Sequence, residues 1–261
     1  MLIGKGGRAV TTISTADASS ITVRGRDLAS DLMGRLSFTE YFFLLLTGHE
    51  PSEDQRLFLD VLLVAIAEHG LVPTNQAARM TLAADPDFLQ GAVAAGILGC
   101  GSVILGTAED CGTFLIEARR RIDTDNRGET DTVRTLLEAI KAEGGKAPGF
   151  GHPVHKPVDP RTQRIFSLAH QRKAAGRYCA LAETANKVTA EVWGKPLTMN
   201  VSMAIAAVLL DLDFPASILK AIPILARTAS LLAHLAEEQR QPIGFLMAHH
   251  GEAAIAYEEQ G

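Results

Sequence analysis

Residues 149–161 read GFGHPVHKPVDPR, within a longer irregular stretch, residues 143–161, EGGKAPGFGHPVHKPVDPR. Four glycines and four prolines there exclude a regular element, because proline lacks the amide hydrogen that helices and ladders use and glycine loses the most freedom when fixed. The stretch therefore predicts a long loop whose order comes from packing or from a ligand. Loops of this length inside a compact domain are usually functional. Gly149 and Gly151 permit close backbone approach beside the imidazole of His152, and His155, Lys156, Asp159 and Arg161 follow. A histidine with a basic pair can polarise a carbonyl or hydroxyl oxygen, while Arg and Lys bind carboxylates or phosphates. The opposing reading is a solvated turn in which His152 has no role. Metal binding by His152 and His155 is disfavoured, since no carboxylate or cysteine cluster accompanies them.

Outward from the loop, helical signals dominate. Ser52 before Glu53, Asp54 and Gln55 marks a helix start, and residues 57–67 are apolar nearly all round, as in a helix buried on most sides. Residues 131–141 read as an amphipathic helix with Val133, Leu136, Leu137 and Ile140 inward, and residues 162–174 and 179–192 read the same way. Asp85-Pro86-Asp87 opens a further helix, and residues 123–130 join two helices at the surface. Strand signals are confined to residues 11–23, which suit one short hairpin before Arg24-Gly25.

Composition bounds the partners. The 261 residues are 47% hydrophobic, 21% charged and 5% aromatic, with a net charge of −5, so a sizeable and mostly aliphatic core is expected and disorder is not. No basic run exceeds Arg119-Arg120-Arg121, and no nucleic-acid or anionic-membrane partner is predicted. Cys100, Cys111 and Cys179 form an odd set without CxxC spacing, which predicts reduced thiols in a cytoplasmic protein. Residues 1–10, with Lys5 and Arg8 among glycines, lack the apolar run of a secretory signal. Residues 88–108 carry no charge and approach the length of a membrane span, but Gly91, Gly96, Gly99, Gly101 and Gly106, with Gln90, Cys100 and Ser102, favour a buried helix pair or a broken core helix.

Ordered matches along most of the chain resemble the citrate synthase superfamily, and most of all its citryl-CoA lyase members, including the lyase module of ATP-citrate lyase. ITVRGRDL (21–28) is similar to the early "I-x-Y-R-G-x-D-I" element, with Val23 at the tyrosine. Ser37-Phe38-Thr39-Glu40 through Leu46-Thr47-Gly48 resembles "SFEE…LLLTG", Glu68-His69-Gly70 with Arg79 resembles "DHG…R", and residues 149–161 resemble "GFGHxVxKxxDPR". Asn200-Val201 and Ala226-Arg227 align with "NVD" and "AR". The resemblance implies an all-α, citrate-synthase-like helical fold with a large domain (1–111 and 206–261) and a small domain (112–205), working as a homodimer that completes each site. It further implies that His152 hydrogen-bonds the oxygen that is a ketone in oxaloacetate and a hydroxyl in the citryl group. His69, Arg161 and Arg227 would hold carboxylates, Lys156 would lie near coenzyme A phosphate, and the backbone of Pro148, Gly149, Phe150 and Gly151 would line the adenine pocket. For His69 and Arg227 the residues alone favour a simple capping or pairing role in apolar helices.

Two positions depart from the family pattern. Laying residues 104–109 against "LHGGAN" puts Leu105 at the enolate-stabilising histidine, and Ser202 falls at the aspartate of "NVD". Leucine donates no hydrogen bond, and serine is far too weak a base to replace a carboxylate at neutral pH. The late "RP" arginine falls at Gln241, with Arg240 adjacent. What remains suits the oxo-acid half of the substrate. The expected activity is therefore acyl-CoA lysis: citryl-CoA, or a related 3-hydroxy-3-carboxyacyl-CoA, to acetyl-CoA and an oxo-acid such as oxaloacetate. The short length points the same way. In that scheme His152 takes the hydroxyl proton, and Glu109, one turn beyond Leu105 in a continuous helix, or a water held by Ser202 protonates the departing carbon. An analogue with a better stabilised carbanion would relax the need for the missing aspartate. The alternatives are a catalytically weak paralogue that binds CoA esters as a regulatory or structural subunit and, less favoured, a citrate or 2-methylcitrate synthase. No metal and no tightly bound cofactor is expected; coenzyme A enters as part of substrate or product.

Overall fold

The computed structural model describes residues 9–101, 105–125 and 127–259. Lys5, Arg8, Ser102, Ile104 and Asn126 lie outside them. The described chain is largely α-helical with one small sheet, in two compact units, Met1–Asp60 and Val61–Gly261.

In the first unit the expected hairpin forms. Strands β1 (Ser14–Ala16) and β2 (Ile21–Val23) pair antiparallel, and a short β3 (Arg26–Asp27) pairs with β2. Arg24 (φ 51°) and Gly25 (φ 80°) make the tight turn between β2 and β3. Asp27 caps the π-helical turn Leu28–Leu32 by accepting from the Ser30 amide. Helix α1 (Phe38–Thr47) opens on a capping box: the Glu40 amide donates to Ser37 Oγ and the Ser37 amide donates to the Glu40 carboxylate. Val23, Leu32 and Leu44 form the core beneath the sheet. Helix α2 (Glu53–Ala67) has a second reciprocal cap, between Ser52 and Gln55. Its apolar run was expected to be buried on most sides, but Phe58, Leu59, Leu62 and Ile66 are buried while Val64 is 78% exposed. An all-apolar stretch carries no period from which to read that single buried face.

In the second unit, helices α3 (Pro73–Ala84), α4 (Leu89–Gly101), α10 (Ala221–Glu238) and α11 (Gly244–Ala254) pack on one another. Their core is Ala78, Leu82, Ala92, Leu231 and Leu235. Within the uncharged stretch read from the sequence, Leu89–Gly101 form α4, with Ala92, Gly96 and Cys100 buried at four-residue spacing and Leu98 81% exposed. A Cβ on Gly96 would lie 2.7 Å from Leu231 Cδ2, so glycine is what admits α10 so close. The segment Ala216–Glu238 is long and apolar enough to cross a membrane by length and composition alone; here α10 packs on α3 and α4. Arg79, 2% exposed, ties three helices together, donating from Nε to Glu238 and from Nη1 to Glu237, both at 2.6 Å, while Glu238 accepts the Ile243 and Gly244 amides ahead of α11.

The remaining helices surround α9 (Val201–Asp211), whose ten residues from Val201 to Leu210 are all buried. Helices α5 (Thr107–Asp125), α7 (Pro160–Gln171) and α8 (Arg177–Trp193) pack on it, and α6 (Glu129–Ala142) packs on α5 and α8 through the expected face of Val133, Leu136 and Leu137. Helices α6 to α8 lie where the periodicity predicts, to within a few residues at their ends.

Candidate active site

The loop between α6 and α7 owes its order to backbone pairing with residues 198–200. The Gly151 amide donates to the Thr198 carbonyl (2.7 Å), the Asn200 amide to the Gly149 carbonyl (2.9 Å), and Phe150 bridges Met199. Gly149 has φ 75°, and a Cβ there would meet Met203 Cβ at 2.7 Å and Cys111 Sγ at 2.8 Å, so no other residue fits. Asn200 links the loop to α9: its Nδ2 donates to the Gly151 carbonyl (3.1 Å), and its Oδ1 caps the helix by accepting the Ser202 amide (3.0 Å).

This folding gathers three imidazoles and two guanidiniums. Asp159, fully buried, caps α7 and grips Arg161 through both carboxylate oxygens, Nε to Oδ1 at 3.0 Å and Nη2 to Oδ2 at 2.7 Å. Burial works to raise the Asp159 pKa, but the Arg161 guanidinium and amide hold it below the usual carboxylate value. Arg161 Nη2 then lies 3.3 Å from His152 Nε2. On the other side of its ring, His152 Nδ1 accepts two amides, Val154 at 3.1 Å and His155 at 2.9 Å. A nitrogen that accepts carries no proton, so the neutral ring holds its hydrogen on Nε2. Two donors thus face one another across 3.3 Å, an arrangement completed by an acceptor oxygen from a ligand. It also corrects one expectation. His152 cannot take a hydroxyl proton at Nε2, because in this tautomer that nitrogen has no free lone pair.

His69 follows the end of α2, where Glu68 holds it by accepting the His69 and Gly70 amides at 2.8 and 2.5 Å. Its Nε2 lies 3.1 Å from His155 Nε2, a contact the sequence reading did not foresee. Burial, with Arg161, His155 and Arg227 nearby, pushes His69 below the ordinary imidazole value, and burial with His155 and Arg161 does the same to His152. His69, His152 and His155 bring one ring nitrogen each within 4.8 Å of one another, a spacing compatible with a metal triad. The His152 tautomer and the adjacent guanidiniums oppose that use. Arg227, on α10, is 6% exposed; its Nη1 donates to the Ala67 carbonyl at 3.3 Å, and its Nε is buried without a partner. Burial, reinforced by Arg161, pushes its pKa down. A buried guanidinium with an unsatisfied Nε is costly unless an anion joins it.

The positions expected to manage the carbanion look different. Leu105 is buried, and Ser202 Oγ is 2.7 Å from Thr107 Oγ1, a partner not anticipated from the sequence. Glu109 does not join the site: it is exposed and paired with Lys220 at 3.3 Å. The reason is local. Leu105 and Gly106 are π-helical and α5 begins only at Thr107, so the continuous α-helix that would set Glu109 one turn beyond Leu105 is absent. Asp110, Thr107 and Asn200 line a cavity of about 850 Å³ together with Pro148, Gly149, Phe150, Gly151 and the apolar Phe114, Leu136 and Ile140. Gly151 also borders a second cavity, of about 560 Å³, where Lys156 and His152 meet Lys195, a cation in the GKPLT turn (194–198) that sequence reasoning passed over. Gln241 and Arg240 lie past α10, where the Gln241 carbonyl accepts from Arg79.

The family model described as citrate synthase, C-terminal domain, matches residues 7–244. The chain belongs to the citrate synthase family. Citrate synthase of Synechocystis sp. is 30% identical over 209 residues, covering 78% of this chain and 50% of its own. Family members sharing the fold include citryl-CoA lyase from Hydrogenobacter thermophilus (TM-score 0.83, 29% identity, 98% of this chain and 96% of that one). ATP citrate lyase from Methanosaeta concilii, solved with (3S)-citryl-CoA, shares it at TM-score 0.77 and 20% identity over 99% of this chain and 43% of that one. This citrate synthase family chain spans about half the length of the curated relatives it matches.

Proposed function

We propose that the protein is an acyl-CoA lyase of citryl-CoA lyase type, cleaving citryl-CoA or a related 3-hydroxy-3-carboxyacyl-CoA to acetyl-CoA and an oxo-acid such as oxaloacetate. The observation that carries this reading is the pair of donors, His152 Nε2–H and Arg161 Nη2–H, facing across 3.3 Å. An oxygen between them is a hydroxyl or alkoxide in the substrate and a ketone in the product, and donors placed there stabilise the charge that develops as the carbon–carbon bond breaks. Arg227, buried and unsatisfied, takes a carboxylate of the same half, with His69 beside it. The cavity along Pro148 to Gly151 accepts the adenine end of coenzyme A, and Lys156 with Lys195 meets its phosphates.

Leu105 and Ser202 set this site apart from the pattern of a condensing enzyme. Making an enolate from a thioester requires a base held at its methyl carbon, and here that position offers only a serine hydroxyl hydrogen-bonded to Thr107. Cleavage passes through the same enolate, and with no carboxylate at this position water delivers the proton to the departing carbon. The likeness to the Hydrogenobacter thermophilus lyase, at 29% identity along both chains, supports the same direction. The protein works in the cytoplasm, its cysteines reduced, as a homodimer that covers the exposed apolar residues of α4 and α11, among them Leu98, Phe245 and Leu246.

The test is to incubate the protein with citryl-CoA and follow oxo-acid release by coupled reduction. Release above background, abolished in His152→Ala with the fold retained, is the expected result. No release from a preparation that binds coenzyme A would replace this reading with that of a CoA-ester-binding subunit.

A further inference from the structure

We infer that His155 is the base that takes the substrate hydroxyl proton, in a hydrogen-bonded pair with His69; the inference rests on the cleavage reaction proposed above. His152 is excluded from that part because both amides on its Nδ1 keep its proton on Nε2. Arg161 is excluded because a guanidinium gripped by a buried carboxylate stays charged. Of the residues around the donor pair, this leaves the two imidazoles whose Nε2 atoms lie 3.1 Å apart. Such a contact holds one proton between two nitrogens, one donating and one accepting.

Substrate binding decides which nitrogen is freed. A carboxylate arriving beside His69 is a better acceptor for its N–H than an imidazole is, so His69 turns its proton to the substrate and leaves His155 Nε2 with an open lone pair. The His155 and His152 ring centroids are 4.4 Å apart and one ring nitrogen of each lies within 4.8 Å of the other, so His155 is near enough to serve an oxygen bound at His152. The groups surrounding His155 are His152 on its own loop, Asp159 and Arg161 at the start of α7, and His69 after α2, with Arg227 of α10 acting on His69.

The step balances within the substrate, His155 and water. The hydroxyl proton moves to His155 Nε2, the O–H electron pair becomes the carbonyl π bond, and the carbon–carbon bond breaks. Its electrons leave as the thioester enolate, which takes a proton from water, and His155 returns its proton to the resulting hydroxide. The backbone amide of residue 155, which helps set the His152 tautomer, is unaffected by a side-chain change. Substitution at 155 therefore tests the imidazole alone.

The experiment compares wild type, His155→Gln and His155→Ala in citryl-CoA cleavage across pH, with circular dichroism confirming the fold. The expected result is a fall in kcat of about a hundredfold or more, the usual scale of general base catalysis, with KM changed little, loss of the acidic limb of the pH–rate profile, and partial rescue of His155→Ala by added imidazole. Variants within threefold of wild type that keep the acidic limb would overturn the inference and leave the lyase reading standing. If either variant fails to fold, the other carries the same kinetic comparison. An inert wild type would remove the lyase reading and this inference together.

Discussion

Replacing Arg227 with methionine should make the empty protein more stable and shrink the stabilisation that a bound ligand adds. The guanidinium is 6% exposed and, among the described residues, its Nε has no partner and its bond to the Ala67 carbonyl is long at 3.3 Å. An orphaned buried polar group costs about 1–3 kcal/mol, against about 1 kcal/mol for the hydrogen bond lost from Ala67. Methionine of similar volume should then leave the apo protein up to about 2 kcal/mol more stable, or a few degrees in Tm at roughly 2–4 °C per kcal/mol. The direction agrees with the lowered pKa, which says that the folded state disfavours the charge. With citrate or oxaloacetate at about 100 times Kd, wild type gains about 2.7 kcal/mol. Losing one charge-assisted bond worth about 2 kcal/mol weakens Kd roughly thirtyfold, so the same ligand concentration yields about 0.9 kcal/mol in the variant. Differential scanning fluorimetry with and without ligand reads both quantities. A variant that melts lower than wild type when empty, yet keeps the full ligand-induced shift, would show Arg227 to be a structural residue and refute the reasoning.

Three further outcomes follow from the same geometry. Ser202→Asp puts a carboxylate where the family aspartate falls, beside Thr107 Oγ1, and should raise deuterium exchange at the acetyl-CoA methyl about a hundredfold; mass spectrometry of the thioester recovered from heavy water measures it. Glu109→Gln should leave cleavage within about twofold, since only an exposed pair with Lys220 is lost, a contact of the kind worth at most about 1 kcal/mol. Glu238→Gln should cost about 3 kcal/mol by urea denaturation at neutral pH, because it strips the buried Arg79 of its main counter-charge. Burial tends to raise the Glu238 pKa, but Arg79 and the Gly244 and Ile243 amides hold it below 4.5. Its contribution is therefore present above that value and lost as pH falls through the folded-state pKa, so wild type and variant should converge in acid.

The sequence displayed most of what repeats and little of what converges. Helices α6 to α8 could be read because Val133, Leu136 and Leu137, and their counterparts, keep a helical period. The irregular loop could be read because glycine and proline leave no regular alternative. Burial of α2 could not, since an unbroken apolar run hides which face turns inward. The site was half legible: His69, His152, Arg161 and Arg227 were singled out, but His155 had no assigned part because its partner is 86 residues away. Glu109 is expected at the site on the assumption of an unbroken α-helix from Leu105, and the π-helical residues Leu105 and Gly106 break that helix. The His152 tautomer depends on two backbone amides, which no pattern of side chains displays.

The site divides its two arginines between different tasks. Arg161 is neutralised by Asp159 at 2.7 Å, so it adds little net field and acts as an aimed donor that fixes where an oxygen lies. Among the described residues Arg227 donates to the neutral Ala67 carbonyl and leaves Nε unsatisfied, so an anion arriving there would be attracted by it and supply the missing partner. A protein selected for stability alone would neutralise both. Leaving one unpaired destabilises the empty state and makes binding correspondingly more favourable, because the ligand carboxylate replaces a missing partner and displaces none. The same economy bears on the vanished enolate residues. Leu105 is packed into the core and Ser202 is hydrogen-bonded to Thr107, whereas a buried donor without a partner among the described residues, Arg227 Nε, lies in the half that the proposed function assigns to the oxo-acid. Under the proposed lyase reading, binding energy is gained where the carbonyl forms and solvent quenches the enolate.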